Sequence, residues 1–445
     1  MKQILVIGGG ITGLTAADKL LERGCAVTVL EAAASPGGML APSGVTAGRR
    51  LEAIYHHLFT SDRAAIALLE DLGLRGDLRW HEPSNDLFLG GKRYPFTSPL
   101  DLLRFRPLPF AGRVRTGVSV LAAGQIRAYL PLEEQTAKDW LIRSGGKTAY
   151  ERLWKPLLRS KFGEDADEVS AVWIWNKYKL RGGSREAGGE KLGYLEGGFC
   201  RLTDALAQRI RDRGGEIRCG CGAESIRRTA DGVRVAASAD GEPAEFRADA
   251  VLAALPAPAL APLLENAADE EAAALAGRCR AQKYKANLCL ALRTEKRLTD
   301  AYWTTVCEDD APFVLLIAQN RLFDDAPAPP AYGGEILYLS RYLDAGDPLF
   351  RAPDGEVFAR FAEGLTAMFP GFSAADAAAW ELFRSPWAQP VIGRRYSRTR
   401  IPIRTALPGV YLAGMSQIYP EDRGVNYAVR LGWDAAAEIL GERTA

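Results

Sequence analysis

The apolar positions of this chain change period at intervals, and each change predicts an element. Residues Ile4 to Ile7 form an unbroken apolar run of strand length, the pattern then turns helical through Leu21, and Ala26-Val-Thr-Val-Leu30 reads as a second strand. Near the C-terminal end, Gly409-Val-Tyr-Leu-Ala-Gly414 is a short buried strand after a Leu407-Pro408 turn, and Asn426 to Leu440 carries apolar residues at helical spacing. A third stretch lies between. It predicts a helix from Leu202 to Asp212, strands at Glu216 to Cys221, Ala223 to Arg227 and Val233 to Ala237, and an apolar strand from Ala250 that stops at Pro256. Residues from about 61 to 175 are helix-rich, whereas Leu288 to Leu292, Phe313 to Ile317 and Ile336 to Tyr338 are strand-like, as is the segment from Leu87 to Phe96. Asp324 to Gly334 is a loop by composition, and no internal repeat is present.

Composition narrows the class. At 445 residues, 47% apolar and 25% charged, the chain can bury two or three cores. A net charge of +1 supplies no field for nucleic acid, which is excluded as a partner. Seven scattered cysteines read as reduced core residues, and Cys219-Gly-Cys221, on a predicted strand, has the wrong spacing for a redox or metal site. No apolar stretch reaches the length of a bilayer span, and the first strand at Ile4 leaves no room for a leader, so a cytoplasmic protein is expected.

The chemistry starts in the first turn. Gly8 permits the tight exit from the strand, Gly10 lets backbone approach a pyrophosphate, and Gly13 lets the helix sit close to the sheet. Ile11 and Thr12 open that helix, whose unpaired N–H groups and positive dipole end suit an anion. Glu31, followed by Ala32, ends the second strand, where a carboxylate accepts from ribose hydroxyls and repels a 2′-phosphate. These residues predict a dinucleotide site that disfavours NADP.

Through Pro36-Gly37-Gly38-Met39 the sequence resembles the extended N-terminal motif of the FAD superfamily that includes monoamine oxidases, protoporphyrinogen oxidases, phytoene desaturases and UDP-galactopyranose mutases. Met39 stands where those families usually place Arg, Lys or Asn. The resemblance extends from Tyr411 to Leu440, so that Gly414, Gly424, Val425 and Asn426 carry over as contacts to the cofactor, with Met415 where many relatives have Asp. In the middle stretch a short residue near Ala223 would pack on the adenine. The resemblance implies an α/β fold: a Rossmann-like FAD domain from residues 1–60, 195–280 and 385–445, a helical cap from 61–194, and a mixed-sheet substrate domain from 281–384 with 85–98. It also implies noncovalent FAD, because the last cysteine, Cys307, lies far from the C-terminal motif.

Two loops carry candidate catalytic groups. Leu51 to Asp62 contains His56 and His57 and resembles the histidine loop of UDP-galactopyranose mutases; a histidine there moves a proton, or else both histidines cap the helix starting near Asp62. Tyr419-Pro420-Glu421-Asp422-Arg423-Gly424 precedes the flavin-facing helix, where Glu421 and Arg423 act near the ring, or Glu421 caps the helix and pairs with Arg423. His81 has no motif around it. Tyr338, Arg341 and the pair Arg394-Arg395 are candidates for a diphosphate, as a mutase would need. The segment Leu102 to Arg115 interleaves Arg104, Arg106, Arg113 and Arg115 with Leu and Phe, which fits either peripheral contact with the inner face of a membrane or a cap loop broken by Pro107 and Pro109. The expected function is hydride transfer from a small or lipid-like substrate to flavin, with redox-neutral nucleotide-sugar mutation as the alternative.

Overall fold

The computed structural model describes residues 1–46, 50–183, 185–186, 189–265, 269–326 and 331–442. Its central sheet is all-parallel, in the order Glu216–Arg218, Ala26–Leu30, Gln3–Ile7, Ala250–Ala253, Val410–Leu412. A parallel sheet is covered on both faces and needs apolar residues at successive positions. The unbroken runs supply them. Ile4 and Val6 enter the core shared with α1 (Ile11–Glu22), while Leu5 and Ile7 enter the opposite core, beneath an antiparallel three-stranded sheet and the helices Ala257–Leu264 and Glu270–Arg280. The predicted strand from Glu216 to Cys221 ends at Arg218 instead. Cys219 and Gly220 form a turn, with Gly220 at φ +65°, before a new strand starts at Cys221.

The helix-rich segment divides. α2 (Arg63–Asp71) contributes Ala65, Leu68 and Leu69 to the core of the parallel sheet and not to the cap with which it was grouped. The cap itself holds α3 (Pro99–Arg104), α4 (Phe110–Gly124), the helices Ala137–Gly145 and Lys155–Phe162, and α5 (Ala171–Gly183), around Leu141, Tyr150, Phe162, Val172 and Trp175.

The second sheet has seven strands in the order Ala377–Pro390, Tyr284–Thr294, Glu335–Leu343, Leu315–Ala318, Trp303–Val306, Asn85–Leu89, Lys92–Pro95. All pairings are antiparallel except Trp303–Val306 with Asn85–Leu89. Residue 385 lies inside the strand Ala377–Pro390, which stays in this sheet to its end. Alternation sorts its residues: Ile336 and Tyr338 face the parallel-sheet core, Leu337 and Leu339 the core under the helix Asp354–Met368.

The chain closes with α6 (Val425–Leu440), packed directly on α1. The contact is made at Gly432, where an added Cβ would lie 2.7 Å from the Thr12 carbonyl oxygen and 2.9 Å from Thr15 Cβ. Backbone on one side leaves nowhere for a larger side chain to go. Gly432→Val is therefore expected to destabilise the fold by on the order of 3 kcal/mol, read as a lowered denaturation midpoint of the cofactor-free protein.

Candidate functional site

The three glycines of the first turn meet different steric demands. Gly8 has φ +106°, and its added Cβ would meet the Ala254 carbonyl oxygen at 2.7 Å; one on Gly13 would lie 2.0 Å from the Gly8 carbonyl oxygen. Gly10 differs. A Cβ there meets nothing within 4 Å, so this face of the turn is open. Gly37, at φ +142°, joins in: its N–H donates to the Gly9 carbonyl, and Gly38 packs against Gly10. Met39 is half-buried beside them. The Glu31 carboxylate accepts from the Gly9 N–H at 2.7 Å and the Ala33 N–H at 2.8 Å, which aims it at the same opening. Ala32 is exposed and lies next to Gly222, one residue before Ala223, where the strand bulges.

α1 starts on Gly10 and α6 on Gly424, neither with a side-chain cap nor an acidic residue in the first turn. Ile11 and Thr12, and Val425 in the other helix, thus present N–H groups to a ligand. Gly414 is pressed onto the Leu255 carbonyl, where a Cβ would approach to 2.1 Å, and Met415 begins a short turn held by the Gly414 N–H donating to Gln417. Two bare helix ends, an open glycine turn and a carboxylate at the strand tip fit the pyrophosphate and ribose of a dinucleotide.

Asn426 has a structural duty as well. Its side-chain oxygen accepts from the N–H groups of Ala64 and Ala65 at 2.9 and 3.1 Å and so caps α2. The histidines do not cap that helix. His56 Nδ1 lies 2.6 Å from the Ile54 carbonyl oxygen, which can only accept, so the proton sits on Nδ1 and Nε2 keeps its lone pair. Desolvation pushes the His56 pKa down to about 4, with the Arg423 charge adding to the effect. His57 packs edge-on to Phe59 and Trp303, with its Nδ1 3.5 Å from the Tyr302 hydroxyl. The loop is tied at both ends: Tyr194 donates to buried Glu52, and Asp62 accepts from the Phe59 N–H at 2.8 Å. His81, buried, is satisfied by Asp325.

The segment before α6 also departs from expectation. Glu421 neither caps the helix nor pairs with Arg423; it pairs with Arg430 at 3.0 Å. Arg423 donates to Gln389 and, at 2.6 Å, to the Tyr342 hydroxyl. Between them lies Asp422, 5% exposed, with Lys177 at 2.6 Å and Lys161 at 3.7 Å. Burial would raise the Asp422 pKa, yet Lys177, Lys161 and Arg423 together hold it well below the usual range. Burial likewise pushes Lys161 well below its ordinary value, against the attraction of Asp422. Lys161 sits over the rings of Trp173 at 5.0 Å and Tyr342 at 5.5 Å. Lys177, Lys161 and Arg423 thus surround one carboxylate, and the Arg423 charge bears on Tyr55 and His56 across the site.

The candidate diphosphate arginines are not brought here. Arg341 donates to the Ala311 carbonyl, on the sheet face away from Tyr338 and Tyr342; Arg394 and Arg395 are exposed, Arg395 pairing with Glu134. Tyr338 is buried, its hydroxyl donating to the Glu52 carbonyl. Sequence reasoning missed Lys161, Lys177, Tyr342 and Gln389, which come from the cap and the second sheet. Period-two alternation from Tyr338 was the one signal, and it reaches Tyr342.

The family model for flavin containing amine oxidoreductase matches residues 11–440, and the chain belongs to that family. That family is one of flavin-containing oxidoreductases, and the flavin that fits here is FAD. Among curated proteins it is 29% identical over 178 residues to protoporphyrinogen oxidase of Oryza sativa subsp. japonica, covering 39% of this chain and 33% of that one. It is 29% identical over 258 residues to hydroxyneurosporene desaturase of Rubrivivax gelatinosus, covering 50% and 48%. These matches span a third to a half of the relatives. Two solved structures share the fold: a protoporphyrinogen oxidase candidate from Exiguobacterium sp. 255-15 (TM-score 0.76, 21% identity, 99% of each chain) and a reduced UDP-galactopyranose mutase (TM-score 0.74, 16% identity, 100% and 97%).

Because a Cβ at Gly10 meets no protein atom within 4 Å, Gly10→Ala should fold with an unchanged denaturation midpoint as apoprotein and yet bind FAD more weakly; unchanged FAD affinity would refute the placement of the pyrophosphate. An unfolded histidine titrates near ~6.5, and His56 in the folded chain at about 4. The unfolded state therefore holds the extra proton between those values. Relative to His56→Gln, the wild-type apoprotein is expected to lose stability as pH falls from about 6.5 to about 4 and to show no such difference above that window, followed by denaturant unfolding at each pH.

Proposed function

We propose that this protein oxidises a carbon–hydrogen bond of a small apolar or amine-bearing molecule in the space bordered by Tyr55, His56, Tyr342 and Arg423. FAD, when bound, supplies the ring that takes up the hydride. Gly8 to Gly13, Glu31, Gly37-Gly38, Gly414-Met415 and Gly424-Val425 would hold it. The observation that supports this reading most is the state of His56: neutral, with Nδ1 fixed by the Ile54 carbonyl and Nε2 left as an acceptor. Loss of a hydride from a substrate is completed by loss of a proton, and Nε2, a weak base here, can relay that proton onward without holding it. Trp303 and Tyr338 hold Tyr55 edge-on, which keeps an aromatic wall beside it. Lys177 and Arg423 together outweigh Asp422, which favours negative charge at the start of α6.

Sequence relatives named as a protoporphyrinogen oxidase and a carotenoid desaturase support a hydride-removing reaction. The redox-neutral alternative draws on the fold shared with the mutase and on the His56 loop, but the arginines for a diphosphate face elsewhere.

Anaerobic mixing of the FAD-loaded protein with porphyrinogens, amines and polyenes should bleach the flavin absorbance with one member of the set. His56→Ala should slow that bleaching by about a hundredfold at unchanged FAD content. Turnover of a UDP-galactose furanose–pyranose pair by the pre-reduced protein, with no bleaching by any donor, would replace this reading with the mutase one. The rate at which dissolved oxygen reoxidises the reduced protein then separates an oxidase from a dehydrogenase or desaturase.

A further inference from the structure

Hydrogen-bond donors without acceptors gather on the cap side of the site. Trp173, Asn176 and Lys177 stand three and four residues apart on α5 and so share one face of it. Trp173 is 8% and Asn176 3% exposed, and among the described residues the Trp173 Nε1 and Asn176 Nδ2 groups have no hydrogen-bond partner. Buried donors in that state are costly until something with lone pairs meets them. Lys161, from the helix Lys155–Phe162, and Lys177 both lie over the Trp173 ring, at 5.0 and 5.4 Å, so two amines stand beside the same indole.

Asp422, the carboxylate these groups share, is already occupied. Its Oδ2 has Lys177 at 2.6 Å and its Oδ1 accepts from Gln389 at 3.3 Å, while Lys161 stands off at 3.7 Å, beyond hydrogen-bond reach. Arg423 is 4.0 Å away and spends its donors on Gln389 and Tyr342. Lys177 and Arg423 against Asp422 leave one net positive charge, and protonation of Lys161 makes it two. Burial holds the Lys161 pKa well below its ordinary value, and an anion placed against the amine restores its charge. The side chains of Lys161, Arg423 and Lys177 nevertheless keep 18%, 21% and 34% of their surface accessible, so all three border a space and not solid packing.

A group that satisfies these residues needs several acceptor oxygens and close to two negative charges. A carboxylate brings one charge, whereas a phosphate monoester brings about −1.5 to −2 near neutral pH with three acceptor oxygens. Next to the cationic end the wall is aromatic: Arg423 donates to the Tyr342 hydroxyl, and Tyr55, held edge-on by Trp303 and Tyr338, continues it. We infer that the site takes the phosphate monoester of an apolar alcohol, with the phosphate at Lys161, Lys177 and the Trp173 and Asn176 N–H groups and the hydrocarbon laid along Tyr342 and Tyr55. This rests on the reading of the site given above and narrows its substrate class; an anchored phosphate sets which carbon lies at His56.

The test is calorimetric titration of the FAD-loaded protein with four ligands that share one tail: hexyl phosphate, hexanoate, hexanol and hexylamine. Loaded FAD keeps them out of the dinucleotide site. Hexyl phosphate is expected to bind about tenfold more tightly than hexanoate, and hexanol and hexylamine more weakly still. Lys161→Met and Lys177→Gln should each lower the hexyl phosphate affinity about tenfold, and Trp173→Phe about threefold, at an unchanged FAD content that reports an intact fold. No binding of hexyl phosphate, or binding of any of the other three as tightly, overturns the inference. So does hexyl phosphate binding that neither lysine variant weakens, since the anion would then lie elsewhere on the protein. Binding is read without turnover, so the two readings fail separately. Tight hexyl phosphate binding by a protein that no donor bleaches refutes hydride removal alone, whereas bleaching by an uncharged donor, with no preference for hexyl phosphate, refutes the phosphate site alone.

Discussion

Two helices that begin without caps set the terms for the rest of this molecule. α1 and α6 each start on a glycine, each leave their first N–H groups without a side-chain partner, and they are locked together at the Gly432 contact. A helix end left bare in this way is costly unless something negative or hydrogen-bonding meets it. The parallel sheet brings both ends to one edge, where a bound dinucleotide would meet them. The cap and the second sheet then need only enclose what those ends hold.

The parts of this arrangement that are backbone requirements were legible in the sequence. Gly8, Gly10 and Gly13 answer to three different steric demands, a left-handed turn, an open approach and a close helix, and only glycine meets all three at that spacing. The unbroken apolar runs at Ile4 and Ala250 likewise declare strands buried on both faces. Residues whose role depends on side chains meeting across the fold were not legible. Lys161 and Lys177 lie on separate cap helices, Asp422 and Arg423 precede α6, and Tyr342 lies on the second sheet; nothing local tells any of them that the others are near.

Asn426 shows the same limit from the other side. Its place at the start of α6 suggested a ligand contact, whereas its side-chain oxygen caps α2, the helix that follows the His56 loop. Glu421 and Arg423 stand two residues apart in sequence, but their partners are Arg430 on one side and Gln389 with Tyr342 on the other. Neighbours along the chain are poor guides to pairing where a loop turns between two layers.

The Asn426 cap has a consequence for how the protein is made. The loop bearing His56 is synthesised early, but the group that ties off the helix behind it lies 362 residues further on. Until the ribosome has delivered the last segment, α2 has an untied end, α1 lacks its packing partner and the second bare helix terminus does not exist. The cofactor cradle is therefore complete only once α6 has been made. A nascent chain can fold its first strand and helix, but it offers only one of the two bare helix ends.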